Sequence, residues 1–559
     1  FKQKTAYEIR LSLVGSEMCI RDRYTASRIL TIVALAILMG YGVVYIAYAA
    51  NLIAFPFDYD QGEGFELVDT LLFSQGELPY KDTDVYPFYS SNYPPLFHVM
   101  AAPFVPVFGT GYWYGRLLGT LAAIITACAI GYAVYRDGGR QRWVAVLSGL
   151  AFLASNTVYH IAPLFRQHMT MVMFETLAIV VLANVNEIKD QRTRRRVLFT
   201  GLAFVLAAGY TKQLAIATAI AVFVFLFIRQ PRRSLVWGVG FALVGGAIFL
   251  WMNIATDGQW WLQTITANVN QFIPEQTVGL FRLWFSLHGF LIVPAALYIL
   301  YELYFSRLSI YAIWFIAGVG VSILSGKWGA GDSYFTTSIA GLCILSGLFA
   351  AKTMRREWVN FPINLYTRRI ILPLWRVANR LSGVGVLLIP LLYIGYGIAT
   401  LHMPTQGAVF STVADVFNIQ PNAQNGFYDS AGRIAGGYAD IGHLTTQADI
   451  DAGWHIVDLV RATDQLVLSE EASFNLIAGK DVITNPTQLL NLAQQGLFDS
   501  SALIAMIERQ DFGLIIMRAQ FYPVDVLQRI AVYYEIVETV PMNGFEYMIL
   551  APRSTPLPE

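Results

Sequence analysis

Residues 29–55 contain no Asp, Glu, Lys or Arg. As a helix they extend about 40 Å at 1.5 Å per residue, more than the roughly 30 Å hydrocarbon core of a bilayer. Similar apolar stretches recur at 112–135, 143–163, 168–186, 197–210, 213–228, 235–255, 284–305, 309–325, 334–351 and 383–401. The chain as a whole is 55% hydrophobic and 14% charged, against about a quarter charged in soluble proteins. These features predict an α-helical polytopic membrane protein with about eleven transmembrane helices. The pair 197–228 is the weakest match, because Thr211, Lys212 and Gln213 interrupt it. Segment 96–108, with Pro103 and Pro106, rises only about 20 Å as a helix and reads as a re-entrant or interfacial piece.

The formal net charge is zero, which argues against nucleic acid as a partner. That zero is an average. Up to Leu401 there are 31 Lys/Arg and 20 Asp/Glu; from His402 onward there are 7 and 18. The shift separates a bilayer body, 24–401, from a linker at 402–453 and an acidic, cysteine-free α/β domain at 454–559. Residues 1–23, FKQKTAYEIRLSLVGSEMCIRDR, have neither a signal-peptide layout nor a strong helical period. They look like translated sequencing-adapter sequence and are expected to be foreign to the protein.

Lys and Arg assign the sides. With Arg28 inside, twenty basic residues fall in inner loops, including the run KDQRTRRR, and only Lys81, Arg116, Arg166, Lys212, Arg282 and Lys327 face outward. The N-terminus is then cytoplasmic, while loop 56–93 and the C-terminal domain lie on the outer face of the cell (inner) membrane.

Loop 56–93 carries eight acids against Lys81 alone. Most of them are expected to form a solvated face. The exception is FDYDQGEGFELVDTLLFSQGELPY, where carboxylates crowd directly after an uncharged span. Gly62 and Gly64 permit a tight turn that brings Asp60 and Glu63 towards one point. Glu63, Leu67 and Leu71 repeat at helical spacing, predicting a short amphipathic helix on the membrane surface. A carboxylate at such a position can accept a proton from a hydroxyl or ligate a hard cation. An N-cap for the following helix is the alternative use of Asp60.

The order of segments resembles the GT-C superfamily of polyprenyl-phosphate-sugar-dependent glycosyltransferases, in particular the protein O-mannosyltransferase, aminoarabinose-transferase and rhizobial lipopolysaccharide-glycosyltransferase groups. The resemblance rests on the acidic outer loop, YPPL at Tyr93–Leu96, GRLLGTLAAIITA, TKQ at Thr211–Gln213 and SYFTTSIAGLCILSG, and covers about residues 29–350. Gln61 stands where many relatives have a second acid, and Ser333 where Arg or Lys precedes the tyrosine.

The resemblance implies inverting transfer of a hexosyl or pentosyl group from a lipid-linked donor to a glycan, lipid or protein acceptor. It asks for a base, with Asp60 first and Asp58 and Glu63 behind it, and for cations at the donor phosphate. Lys212 fits that need, since an ionisable group at membrane depth is expensive without a partner, although it could also snorkel to the headgroups. Arg166 and His168 in LFRQHM could join it. Lys327, with Asp332 and Tyr334, forms a third outer cluster, where a loop-ordering Lys–Asp pair competes. A divalent metal ion is the one cofactor considered, on the D-x-D spacing of Asp82 and Asp84.

From Trp454 short apolar strands alternate with helices: DQLVLSE, KDVITN, FGLIIM, YEIVETV and FEYMILAP are the expected strands of a mixed sheet. This unit carries no glycine-rich phosphate loop or nucleophile motif and reads as a cap or acceptor-binding domain, with a purely structural role as the alternative. The competing class is a transporter or flippase with a solute-binding tail; it is weakened by the lack of two matching halves with broken helices.

Overall fold

The structure, a computed structural model, describes residues 6–355, 358, 369, 372–400, 404–405, 407–418, 428–429, 432–433, 444–518 and 520–555. Parts of the expected 402–453 linker, and Arg356 and Arg368 of the basic loop before the last span, lie outside the described residues.

The uncharged run forms the end of one long helix, Ala6–Ala54. It continues through residues expected to lack a helical period, because no proline interrupts 6–54 and propagation is easy once a helix is nucleated. Among the described residues five helices are long and apolar enough to cross a membrane: Thr25–Ala54, Trp113–Asp137, Pro231–Ala255, Pro274–Phe305 and Asp332–Arg355. Each remaining apolar stretch is also helical, in shorter pieces such as Arg142–Ala154, His168–Leu182, Ile216–Arg229 and Ile310–Ser322. Stretch 143–163 is broken at Ser155, whose extended backbone (ψ 127°) separates Arg142–Ala154 from Asn156–Ile161. Segment 96–108 falls into three short turns, Leu96–Ala101, Ala102–Phe104 and Val105–Phe108, with prolines at the starts of the second and third.

Two acids within the apolar body are satisfied locally. Glu175 accepts hydroxyls from Thr218 and Thr337, each at 2.6 Å, and Glu302 accepts the Ser309 amide and hydroxyl at 2.8 and 2.9 Å.

Beyond a two-residue pairing of β1 (Tyr428–Asp429) with β2 (Gly432–Arg433), the C-terminal unit is built on β3 (Leu466–Ser469), β4 (Phe512–Met517), β5 (Tyr534–Met542) and β6 (Phe545–Pro552). The order is β3-β4-β6-β5, parallel between β3 and β4 and antiparallel elsewhere, so the sheet is mixed as expected. Its first helix, Gln447–Ala462, starts ahead of residue 454 behind a Thr446–Asp449 capping box. KDVITN is not a strand: Thr484 makes one isolated bridge to Phe88 of the outer loop.

That bridge is one of several ties between the unit and the body. A single buried core runs from the membrane helices through Phe55 and Phe57 into Ile456, Val460 and Phe474. Phe57 packs edge-on to Trp454, and a Cβ on Gly453 would lie 2.3 Å from the Phe57 ring. A second core on the other side of the sheet takes in Phe88 with Leu489, Leu503 and Tyr522. The domain therefore shares its packing with loop 56–93 and forms a fixed roof over it.

Candidate active site

The site begins where the first span ends. The last carbonyls of a helix have no partner within it, and here Arg116 supplies the donors. Its Nη1 reaches the oxygens of Leu52 and Phe55, both at 2.6 Å, and Nη2 that of Phe57 at 2.7 Å. Nε and Nη2 also grip the two oxygens of Glu63 at 3.0 and 2.8 Å. Glu63 further accepts the amides of Phe165 (2.5 Å), Tyr59 (3.0 Å) and Asp60 (3.2 Å). Burial alone would raise its pKa, but Arg116 and these amides outweigh burial and hold it below the usual value. Both oxygens are occupied, so Glu63 sets the shape of the turn and has no lone pair to offer a substrate.

Asp58 is likewise taken: Tyr112 donates its hydroxyl at 3.2 Å and the Ser473 amide donates at 3.1 Å, tying the turn to the C-terminal unit. Burial, helped by the charge of Glu63, pushes it up to about 6.

Asp60 differs from both. Its Oδ2 faces Arg166 at 2.7 Å, while Oδ1 is buried without a hydrogen-bond partner. Burial raises its pKa further than Arg166 lowers it. Asp60 is not the N-cap of the following helix; that position is Gly62 in the left-handed region (φ 96°), with no side-chain cap. Gly62 is required twice over, since a Cβ there would also lie 2.9 Å from Arg166 Nη2. Arg166 closes the turn by donating to the Gln61 carbonyl and, at 3.3 Å, to Glu66.

The helix after the turn, Glu63–Ser74, is not an amphipathic surface helix. Every residue from Glu63 to Thr70 is buried, because the 96–108 turns pack against one side and Ala472 of the C-terminal unit against another. Glu66 and Asp69, which a surface helix would turn towards water, are therefore 3% exposed. Burial pushes Glu66 up to about 7 against the opposing pull of Arg166 and Lys212.

Asp60, Glu66, Arg166, His168, Lys212, Lys327 and Tyr334 all line one cavity of about 400 Å³, within the range of small-molecule sites. Lys212 follows the Gln191–Thr211 helix in extended conformation (φ −157°, ψ 141°) and is 3% exposed, so it does not snorkel. Its Nζ lies 2.6 Å from His168 Nε2, and 4.7 and 5.8 Å from the ring centres of Tyr93 and Tyr334. YPPL, TKQ and SYF, far apart in sequence, thus converge on one lysine nitrogen. Lys327 does not pair with Asp332, which instead meets His160 at 3.0 Å and Thr157 at 3.3 Å.

Asp82 and Asp84 lie apart, exposed and absent from the cavity lining. Asp82 accepts the amide of Asp84 at 3.1 Å, and Asp84 accepts that of Asp499 at 3.0 Å. The D-x-D spacing here makes a local turn and a strap to the C-terminal unit. The group of acids and histidine able to share a cation among the described residues is Glu66, Asp69 and His98, whose ligand atoms lie within 4.8 Å of one another.

No protein-family model and no curated protein matches this sequence. Solved structures do. ArnT from Cupriavidus metallidurans in the apo state superimposes with a TM-score of 0.54 at 14% identity, covering 91% of this chain and 98% of that one. The same protein bound to undecaprenyl phosphate gives 0.55 at 14% identity, covering 93% and 99%. This chain has the GT-C fold. An oligosaccharyltransferase from Archaeoglobus fulgidus superimposes at 0.48, with 11% identity over 95% of this chain and 75% of that one.

Within the GT-C fold, several site residues escape the sequence reading. Arg116 counts there only as an outward charge in GRLLGT. Glu66 and Asp69 stand three and six residues after Glu63, a helical spacing that places acids beside the apolar Leu67 and Leu71 and could have signalled burial. His98 and Tyr93 carry no comparable signal, since only packing brings them to the acids and to Lys212.

Proposed function

We propose that this protein is a membrane glycosyltransferase that moves a sugar from a polyprenyl-phosphate-linked donor to the hydroxyl of a glycolipid, polysaccharide or protein acceptor on the outer face of the membrane. The observation that carries the reading is Asp60: a buried carboxylate with one oxygen fixed by Arg166 and the other unpartnered, lining the same cavity as Lys212 and Lys327. The GT-C fold supports it, as does the undecaprenyl phosphate bound by ArnT.

In this mechanism the acceptor oxygen attacks the anomeric carbon and its proton passes to Asp60 Oδ1. The bond from that carbon to the phosphate oxygen breaks, and the lipid phosphate leaves carrying its negative charge. An inverting displacement places base and phosphate on opposite sides of the sugar. Burial favours Asp60 as base, because a raised pKa strengthens proton acceptance near neutral pH. Arg166 keeps the carboxylate oriented, and Lys212 and Lys327 supply charge for the departing phosphate. His168 and Tyr334 position Lys212.

A divalent cation would be held by Glu66, Asp69 and His98, where Glu66 Oε2 and His98 Nε2 lie 3.3 Å apart and neither has a hydrogen-bond partner. When bound it would add positive charge for the phosphate. The positive-inside pattern supports an inner-membrane placement with a cytoplasmic N-terminus and the cavity outside.

The test is transfer of labelled sugar from a polyprenyl-phosphate carrier by purified protein. Asp60→Asn is expected to lower kcat by roughly two to four orders of magnitude, the usual share of a general base; wild-type-like transfer would remove Asp60 from the mechanism. Lys212→Met is expected to raise the donor KM roughly 10- to 100-fold, as for a lost charge-assisted bond.

A further inference from the structure

The two walls of the cavity differ in chemistry. The wall from the membrane body is charged, with Asp60, Glu66, Arg166, Lys212 and Lys327. The wall from the C-terminal unit is uncharged, with Phe521 beside polar side chains, and the Pro486–Gln494 helix supplies Gln488 and Asn491. Both are nine-tenths or more buried, at 3% and 4% exposure, and the side-chain oxygen of each has no hydrogen-bond partner. Asn270, from the loop beneath, repeats the pattern: its amide nitrogen donates to the Trp328 carbonyl at 3.0 Å, leaving its oxygen buried and unpartnered.

A buried amide oxygen without a partner loses its hydration and gets no hydrogen bond in return. Three residues that line one cavity and each carry such an oxygen are unexpected in a mere roof, because apolar side chains of the same size would pack there without that loss. Pro486 fixes the start of the helix, and Asn485 anchors it by donating to the Ser90 carbonyl at 2.9 Å. Gln495, at its end, donates to the Ala267 carbonyl at 3.3 Å. The two free amides are therefore held at fixed positions over the cavity.

We propose that Gln488 and Asn491 of the C-terminal unit, with Asn270, form the sugar-recognition wall of the site, accepting hydrogen bonds from the hydroxyl groups of an uncharged sugar ring. This rests on the glycosyl-transfer reading above and deepens it. A row of neutral amides matches ring hydroxyls, which donate to the amide oxygens and can accept from the NH2 groups, and it carries no positive charge to hold a phosphate. The cavity is thus divided: cations on the membrane side hold the lipid phosphate, and amides on the roof read the ring beside it. The C-terminal unit becomes a specificity element of the active site. The ring belongs either to the donor or to an acceptor glycan, and the two sources separate by experiment.

The test uses the full-length chain in detergent or nanodiscs. Binding of sugar-free undecaprenyl phosphate is compared with that of undecaprenyl-phosphate glucose, galactose, mannose and N-acetylglucosamine, for wild type and for Gln488→Leu and Asn491→Leu. Wild type is expected to bind at least one sugar-bearing carrier more tightly than the bare one. Each leucine variant should lose roughly tenfold of that preference, about one hydrogen bond's worth, while bare-carrier affinity stays unchanged. Thermal stability should hold or rise, since an unpartnered buried polar group has been replaced by an apolar one of similar size. That combination separates recognition from a structural role, which would lower stability. If the carrier preference survives but the KM of a glycan acceptor rises roughly tenfold, the proposal stands with the acceptor as the source of the ring. It is overturned if wild type binds bare and sugar-bearing carriers alike and the variants leave the acceptor KM unchanged, or if both variants keep full carrier preference and acceptor KM. A wild type that binds no carrier at all overturns the donor-site reading itself, a result distinct from binding without sugar preference.

Discussion

Arg116 and Arg166 grip the same short turn, and each meets carboxylates of the first outer loop, yet they do different work. Arg116 and Glu63 are both 0% exposed in their side chains; five donor bonds from the guanidinium and three amides onto the carboxylate fill the available lone pairs. Arg166 and Asp60 are 17% and 4% exposed, and one oxygen of Asp60 and one of Glu66 are left over. The first cluster is closed and fixes the backbone. The second is incomplete and opens on a cavity. The lesson is that residue type and proximity in sequence say little about role; what separates a structural carboxylate from a reactive one is whether its last lone pair is already taken.

Breaking the closed cluster should have the largest effect. Arg116→Met leaves Glu63 charged and buried and three backbone carbonyls without donors, a loss of about 3–5 kcal/mol by analogy with broken buried pairs; it is expected to abolish folded, monodisperse protein in size-exclusion chromatography. Arg166→Met should instead yield folded protein with impaired transfer, because the turn keeps its Arg116 frame. If both variants fail alike, the distinction between the clusters collapses.

The next effect sharpens the comparison by pH. In the proposed mechanism Asp60 acts as the carboxylate, so rate should fall as pH drops through its pKa, which burial places above the usual Asp value. Arg166 lowers that pKa, so in any Arg166→Met protein that retains activity the acid limb of the kcat/KM profile should move to higher pH. An unmoved or lower limb would mean that another group is the base. The smallest effect is expected from Asp82→Asn with Asp84→Asn. Both residues are exposed and outside the cavity lining, so transfer should change by no more than about twofold, in line with surface substitutions, measured with and without added divalent cation.

Part of the site is legible in the sequence because charge is expensive near a bilayer. Lys212, Arg166 and Lys327 break the inward segregation of basic residues, and with Asp60, His168 and Tyr334 they come onto one cavity. The Glu63–Ser74 helix is also readable from its spacing, but its surroundings are not: a helix period gives one apolar face and cannot tell that the roof will cover the other. KDVITN fails as a strand for a related reason, since its β-propensity is spent on a single bridge to Phe88 rather than on the sheet.

By itself, then, the sequence determined that this chain is a membrane protein built of apolar helices, and that one acidic loop and a few misplaced cations stand out, because hydropathy and charge segregation are properties of local composition. Only the tertiary structure decided which of three neighbouring carboxylates stays open. The partners that occupy Asp58 and Glu63 come from Tyr112, Arg116, Phe165 and Ser473, distant in the chain, and no local pattern records how those segments meet.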